Sequence, residues 1–175
     1  MRASVFVGAS LDGFIARADG SLDWLHAAPE GEQPDLGYDA FIASVDVIVL
    51  GRHTYETVLA FDSWPYSRPV VVLSSRELTP APAAAEVEHM SRAPAEVLAA
   101  LADRGFEHAY VDGGITIQRF LRDGLIQRLT ITRVPVLIGS GIPLFGETSR
   151  DVRLRLVASR SLAGGAVQSE YDVID

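Results

Sequence analysis

Three short segments of this chain carry groups that bind phosphate, and each follows an apolar run typical of a buried strand. Gly51-Arg52-His53-Thr54 offers a guanidinium, a hydroxyl and a bare backbone position. Ser74-Ser75-Arg76 offers two hydroxyls and a second guanidinium. Asp112-Gly113-Gly114-Ile115-Thr116 puts two glycines at the start of a predicted helix, where backbone N–H groups can face an anion. Each segment alone also fits an ordinary turn or cap, but together they predict an extended, phosphate-rich ligand across neighbouring strand ends.

A long loop after the first predicted strand is the candidate for the substrate side. It runs from Ser10 to Ala16 and continues through Asp19-Gly20 to Trp24. Glycine-containing loops of this kind often close over active sites. Asp12 and Trp24 are therefore candidate substrate contacts, and the indole could cover a flat ring, although core packing explains a tryptophan equally well.

Two carboxylates precede the second predicted strand. Asp35 and Asp39 lie one helical turn apart, so they could share one face of a short helix. We take both as candidate catalytic and substrate-binding residues that orient a substrate or relay a proton through water. An N-cap and a solvated carboxylate are the simpler interpretation of the same pair.

Composition excludes several other chemistries. The chain has no cysteine and no lysine, since all 15 basic residues are arginine. Thiolate catalysis, disulfides, lysine Schiff bases and Walker-type phosphate loops are thereby excluded. There is no Gly-x-Ser-x-Gly motif, and the four histidines lack metal-ligand spacing, so we expect no metal.

Charge and hydropathy predict where the protein works. A net charge of −8 argues against nucleic acid as a partner. No apolar run approaches the ~18 residues of a membrane span, and the first residues do not resemble a signal peptide. We therefore expect a cytoplasmic protein with a small-molecule substrate.

Apolar runs and helical segments alternate along the chain. Strands are predicted at 5–9, 45–50, 69–73, 109–111 and 129–138, the last bent at Pro135, and helices at 38–44, 54–60, 94–104 and 115–122. Continuous apolar strands indicate a sheet that is covered on both faces. Alternation in 153–157, followed by Gly164-Gly165 and 166–174, predicts a C-terminal antiparallel hairpin. We expect one α/β domain over 1–175 with a mixed, mainly parallel sheet.

Four of these motifs occur in an order that resembles the dihydrofolate reductase-like superfamily. They are Ser10–Ala16, Gly51–Glu56, Val72–Arg76 and Asp112–Gly114. Later runs, at 120–126, 130–135 and 139–145, are similar to the RibD C-terminal branch. That branch includes the riboflavin-pathway pyrimidine reductase and stand-alone paralogues.

The resemblance implies a three-layer αβα sandwich that binds NADPH. It assigns cofactor contacts to Gly51, Arg52, Thr54, Ser74, Ser75, Arg76, Gly113, Gly114, Ile115 and Thr116. It places the nicotinamide near Ala9, Ile15 and Ala16, and a substrate-holding acid at Asp35, with Asp39 as its neighbour. It also implies a homodimer, for which we expect the contact surface at 125–138 and the C-terminal hairpin.

The function we expect is hydride transfer from NADPH to a C=N or C=O carbon of a small heterocycle or ribosylamino-pyrimidine. By the resemblance, this activity is similar to that of 5-amino-6-(5-phosphoribosylamino)uracil reductase of riboflavin biosynthesis. Three alternatives stay open at this point: a dihydrofolate or pterin reductase, a catalytically silent nucleotide-binding paralogue, and a protein that binds a different nucleotide such as a flavin.

Overall fold

The computed structural model describes residues 1–26 and 36–174. In chain order, its strands and helices are β1 (Arg2–Ser10), β2 (Phe14–Ala16), α1 (Tyr38–Ala43), β3 (Val47–Gly51), α2 (Arg52–Leu59), β4 (Val70–Leu73), β5 (Val87–Met90), α3 (Pro94–Ala102), β6 (His108–Asp112), α4 (Gly114–Arg122), β7 (Arg128–Val134), β8 (Ile142–Pro143), β9 (Arg153–Ser161) and β10 (Val167–Ile174). Short 3₁₀ turns occur at Asp23–His26 and Ala163–Gly165.

Eight of the strands form one sheet in the order β5-β4-β3-β6-β1-β7-β10-β9. Neighbouring strands from β5 to β7 pair in parallel, whereas β10 is antiparallel to both β7 and β9. The predicted mixed, mainly parallel sheet with a C-terminal hairpin is confirmed. β2 and β8 form a separate small antiparallel sheet.

Helices cover the main sheet on both faces. Side chains of α3 and α4 pack with one apolar cluster, and side chains of α1 and α2 with a second. β3 contributes to both clusters, since Val47 and Val49 enter the first and Ile48 and Leu50 the second. Side chains alternate along a strand, so an uninterrupted apolar run is what a strand between two helical layers requires. The αβα sandwich is confirmed.

Two elements of the main sheet differ from the sequence-based expectation, and the short strands β2 and β8 were not predicted either. The strand predicted at 129–138 ends at Val134, because Pro135 has no N–H to continue the ladder. β5 was not predicted, because its sequence, Val87-Glu88-His89-Met90, is half polar. It is an edge strand, and exposed polar side chains are usual there.

Asp12 clamps the start of the loop that follows β1. Its carboxylate accepts hydrogen bonds from Ser10 Oγ at 2.6 Å, from the Ile138 N–H at 3.3 Å and from the Gly139 N–H at 2.8 Å. These bonds lower the Asp12 pKa below its usual range, the Ser10 hydroxyl contributing most. The clamp, with the β2–β8 pairing, fixes the loop against the segment that precedes β8.

No helix in residues 1–26 and 36–174 is both long and apolar enough to cross a membrane.

Replacing Asp12 by asparagine tests the clamp. We expect the urea midpoint of Asp12→Asn at pH 7 to fall below that of the wild type, because an amide oxygen cannot accept all three bonds. The Asp12 pKa is lowered on folding, so the ionised carboxylate stabilises the native state above its ordinary pKa of 3.8. That contribution is lost as the pH falls through the lowered native pKa, and the two midpoints should converge.

The measurement is urea unfolding, followed by circular dichroism, from pH 7 down to the lowest pH at which the protein stays folded. Asp62→Asn is the matched control, because Asp62 is exposed and has no hydrogen-bond partner among the described residues. Equal midpoints at pH 7, or a difference that does not change with pH, would contradict the clamp.

Candidate functional site

A cavity of about 920 Å³ runs along the carboxyl ends of five neighbouring strands, from β5 to β1. It is lined by residues at or near the ends of these strands, including Met90, Leu73, Gly51, Asp112 and Gly8. Ligands of open α/β sheets bind at this position, because loops and helix N-termini diverge there. The volume lies within the range of cofactor and ligand sites.

The structure brings together all the predicted cofactor contacts except Ala9. The cavity is lined by Ile15, Ala16, Gly51, Arg52, Thr54, Ser74, Ser75, Arg76, Gly113, Gly114, Ile115 and Thr116. Ala9 is buried in the α3–α4 cluster, one residue beyond the lining residue Gly8.

The two strand-to-helix turns in the middle of the cavity pack directly against each other. A Cβ on Gly51 would lie 2.6 Å from Thr116 Oγ1, and a Cβ on Gly113 would overlap Thr54 Oγ1. Gly113 also has φ +92°, which side-chain-bearing residues rarely adopt. The sequence predicts that a ligand approaches the backbone at these glycines. In the structure, the contacts with Thr54 and Thr116 already require a residue without a side chain at both positions.

Both helices that begin at this contact line the cavity with the residues of their first turns. α2 starts after Gly51 and α4 after Gly113, and within the described residues neither helix has a side-chain N-cap. Uncapped N–H groups and the positive end of the helix dipole make each terminus a suitable anion site.

Arginines extend this electropositive region toward β5. Arg52 forms an ion pair with Glu56 on α2, and Arg76 is exposed at the rim of the cavity. The Ser74 hydroxyl accepts from the Arg76 N–H at 2.9 Å and donates to the Arg76 carbonyl at 2.7 Å. Ser74 therefore shapes the turn that carries Arg76.

The sequence analysis missed two arginines in the lining, Arg92 after β5 and Arg119 on α4. Recognition of β5 as a strand would have identified Ser91-Arg92 by the same strand-end rule as the other segments. Arg119 has no local signal, because its position in the lining depends on how α4 packs beside α3.

The end of the cavity next to β1 is apolar. Phe6, Val7 and Gly8 form one wall, and Leu22 and Leu25 form another. Leu25 Cδ1 lies 2.6 Å from where a Gly8 Cβ would be, so the bare glycine lets the leucine approach the strand. Phe6 stacks on Phe41 with a ring-centroid distance of 5.0 Å, which holds the Phe6 ring in place.

Asp112 is a half-buried carboxyl group in the lining between the apolar and electropositive regions. The Gly113 N–H donates to its Oδ1 at 2.8 Å, and the hydroxyls of Tyr66 and Tyr110 lie beside it. Burial raises the Asp112 pKa, and these hydrogen bonds oppose the shift only in part. Burial, followed by the Asp112 charge, raises the pKa of the nearby Tyr38 to about 12.

The predicted substrate-side residues are not brought together in this cavity. Asp12, Trp24 and Asp39 are absent from its described lining, and Asp35 lies outside the described residues. The oxygens of Asp12 are engaged in the loop clamp, and Asp39 is exposed in the first turn of α1. Trp24 is 2% exposed, and its Nε1–H has no acceptor among the described residues.

Comparison with known proteins gives a consistent family. The model of the RibD C-terminal domain matches residues 4–168. YwjB of Bacillus subtilis (strain 168) is 35% identical over 172 residues, which cover 95% of each chain. A Shewanella sp. PV-4 protein whose name links it to riboflavin biosynthesis is 40% identical, with a TM-score of 0.94 and complete coverage of both chains.

A more distant likeness supports the wider fold class. Dihydrofolate reductase from Enterococcus faecalis, solved with NADP(H) and RAB-propyl, superposes with a TM-score of 0.69 at 18% identity. The match covers 99% of this chain and 97% of the reductase. The fold is therefore that of dihydrofolate reductase, and the chain belongs to the RibD C-terminal domain family.

Proposed function

We propose that this chain is a cytoplasmic, NADPH-dependent reductase that transfers a hydride to a small heterocycle or ribosylamino-pyrimidine. One observation carries the proposal: a single cavity joins an arginine-rich region, with two helix N-termini, to an apolar pocket beside a half-buried carboxyl group. The RibD family and the NADP(H) bound by the E. faecalis relative support the same cofactor.

The residues present fit NADPH region by region. Arg76 and Arg92 would hold the phosphate that distinguishes NADPH from NADH. The N-termini of α2 and α4 would hold the diphosphate. Ile15 and Ala16 would contact the nicotinamide. Bound NADPH would supply the hydride, and the protein would hold donor and acceptor carbons close and aligned.

Asp112 is the group that would supply the proton. Reduction of a C=N bond adds a hydride to carbon and a proton to nitrogen, and the cofactor leaves as NADP⁺. Burial favours the protonated carboxyl group, so Asp112 can act as a general acid next to the apolar pocket. A catalytic role for Asp35 or Asp39 stays a prediction.

Arg76→Ala tests the cofactor assignment. A charge-assisted hydrogen bond is worth about 1.5–3 kcal/mol, so its loss should weaken NADPH binding by roughly 10- to 150-fold. NADH affinity should hardly change, because NADH lacks the extra phosphate. Isothermal titration calorimetry with both nucleotides measures the effect.

Arg122→Ala is the control, since Arg122 is an exposed arginine at the C-terminal end of α4 and outside this cavity. If Arg76→Ala weakened NADPH and NADH binding equally, the assignment of Arg76 to the extra phosphate would be wrong.

Asp112→Asn tests the proton donor. We expect kcat to fall by about 10²-fold or more, the usual contribution of a general acid, with little change in NADPH affinity. The wild-type rate should decline as the pH rises through the raised Asp112 pKa, because the ionised carboxylate has no proton to give. The variant should lose this limb of the pH profile.

The raised pKa of Asp112 also predicts how the stability of the protein depends on pH, and the stability of the variant is a control for misfolding. Folding favours protonated Asp112, so its contribution to stability is greatest below pH 3.8 and declines as the pH rises through the native pKa. Asparagine stays neutral, so the urea midpoint of Asp112→Asn at pH 7 should equal or exceed that of the wild type. Unchanged turnover in a folded variant would remove Asp112 from the mechanism.

We also propose a homodimer formed through the β9–β10 hairpin. Leu154 and Leu156 of β9 are 39% and 55% exposed and lie on the same sheet face as Val173 and Tyr171 of β10. The opposite face of the hairpin is charged, with Asp172 bonded to arginines of β7 and β9. A second copy would cover the apolar face symmetrically, since a two-fold axis can place one patch against itself.

Leu156→Asp tests the dimer. Two aspartates forced together at an apolar interface would be destabilising, so we expect the variant to sediment as one chain and the wild type as two. Phe61→Asp is the control, because Phe61 is 47% exposed and follows α2, which contacts β3 and β4 rather than the hairpin strands. Sedimentation velocity that shows a single-chain wild type would contradict the dimer.

A further inference from the structure

Positive charge is distributed unevenly along the cavity. The four arginines of its described lining are Arg52, Arg76, Arg92 and Arg119. The first three follow β3, β4 and β5, and the fourth is on α4, which packs against α3. The apolar wall formed by Phe6–Gly8, with the facing leucines, includes no described cation.

The strand order keeps the three strand-end arginines away from the apolar wall. β1 is two strands from β3 and four strands from β5 in the sheet. With a spacing of about 4.8 Å per strand, the separations are roughly 10 and 19 Å. The nearest of the strand-end arginines, Arg52, is already paired with Glu56.

Other arginines of the central sheet do not fill this gap. Arg133 pairs with Ala9, next to the pair formed by Gly8 and Thr132, so it projects from the opposite face of the sheet. Arg160 lies two strands beyond β7, and its Nε–H donates to Gln168 Oε1 at 2.9 Å.

We propose that the substrate that accepts the hydride is built on a planar, uncharged or cationic heterocycle and carries no phosphate. This inference rests on the proposed function and narrows its substrate class. A flat ring against Phe6 and Leu25 would bury apolar surface on both sides. A phosphate in the same place would lose its hydration without gaining a cation.

The test separates the cofactor from the substrate. Wild-type protein is first titrated with NADPH alone, and absence of binding would overturn the proposed function itself. NADPH oxidation is then measured with a matched pair, 5-amino-6-ribosylaminouracil and its 5′-phosphate. Binding of each compound to the protein saturated with oxidised NADP⁺ is measured by calorimetry in parallel.

We expect the unphosphorylated compound to have a kcat/KM, or an affinity if turnover is slow, at least about tenfold higher than its phosphate. NADPH binding together with equal or better use of the phosphate would overturn the inference and leave the proposed function standing. Loss of a preference for the phosphate in Arg160→Gln would then identify Arg160 as the overlooked cation. Failure of this compound and of a neutral dihydropterin to bind the loaded protein would also count against the inference.

Introducing a cation into the apolar wall tests the inference in the opposite direction. Leu22→Arg introduces a guanidinium into the apolar wall and should shift the preference toward the phosphate by about tenfold or more. Leu11→Arg, outside the cavity, should leave the preference unchanged. NADPH affinity within about twofold of the wild type would show that the Leu22 variant is folded, and an unchanged preference in that protein would contradict the inference.

Discussion

The contact between two strand-to-helix turns determines where this protein can bind a ligand. Thr54 of α2 packs against the bare backbone of Gly113, and Thr116 of α4 packs against that of Gly51. α2 and α4 lie on opposite faces of the sheet, so this reciprocal contact brings two helix N-termini to one point on the sheet edge. The positive ends of two helix dipoles thus meet over β3 and β6, and a ligand that carries two or more anionic groups fits that field.

The strands on either side of this contact determine the polarity of the rest of the cavity. Toward β5, polar turns carry arginines, and the chain there faces solvent. Toward β1, the wall consists of side chains that continue the buried layer between the sheet and α1, such as Phe6 stacked on Phe41. One continuous cavity therefore changes from electropositive to apolar over five strands, with the Asp112 carboxyl group in between. A nucleotide such as NADPH matches that order, because its phosphates lie close to its adenosine and its reactive ring lies farther away.

The sequence predicts the fold well because the central strands are buried on both faces. The run Val47–Leu50 is continuously apolar for that reason, and its prediction as a strand is confirmed. β5 was not predicted as a strand, because an edge strand tolerates polar residues such as Glu88 and His89. Arg92, which follows β5, was missed for the same reason. The fold depends largely on local apolar patterns, each of which lies within a short stretch of the chain.

The site is less predictable, because several roles depend on residues far apart in sequence. Asp12 is a plausible substrate contact in its loop, but the N–H groups of Ile138 and Gly139 engage its oxygens. In the sequence, Asp112 is part of a glycine turn. Only the folded chain, which places Tyr66 and Tyr110 beside it, shows an acid whose pKa is raised by burial. The predicted cofactor segments lie together because the carboxyl ends of parallel strands meet at one edge of the sheet. The hydrogen bonds of Asp12 and the raised pKa of Asp112 depend instead on tertiary contacts.

A crystal structure of the protein grown with NADPH tests the central claim most directly. The account predicts that the phosphorylated ribose lies beside Arg76 and Arg92, that the diphosphate lies between the N-termini of α2 and α4, and that the nicotinamide contacts Ile15 and Ala16. A nucleotide bound outside this cavity, bound in the reverse direction, or not bound at all would contradict it.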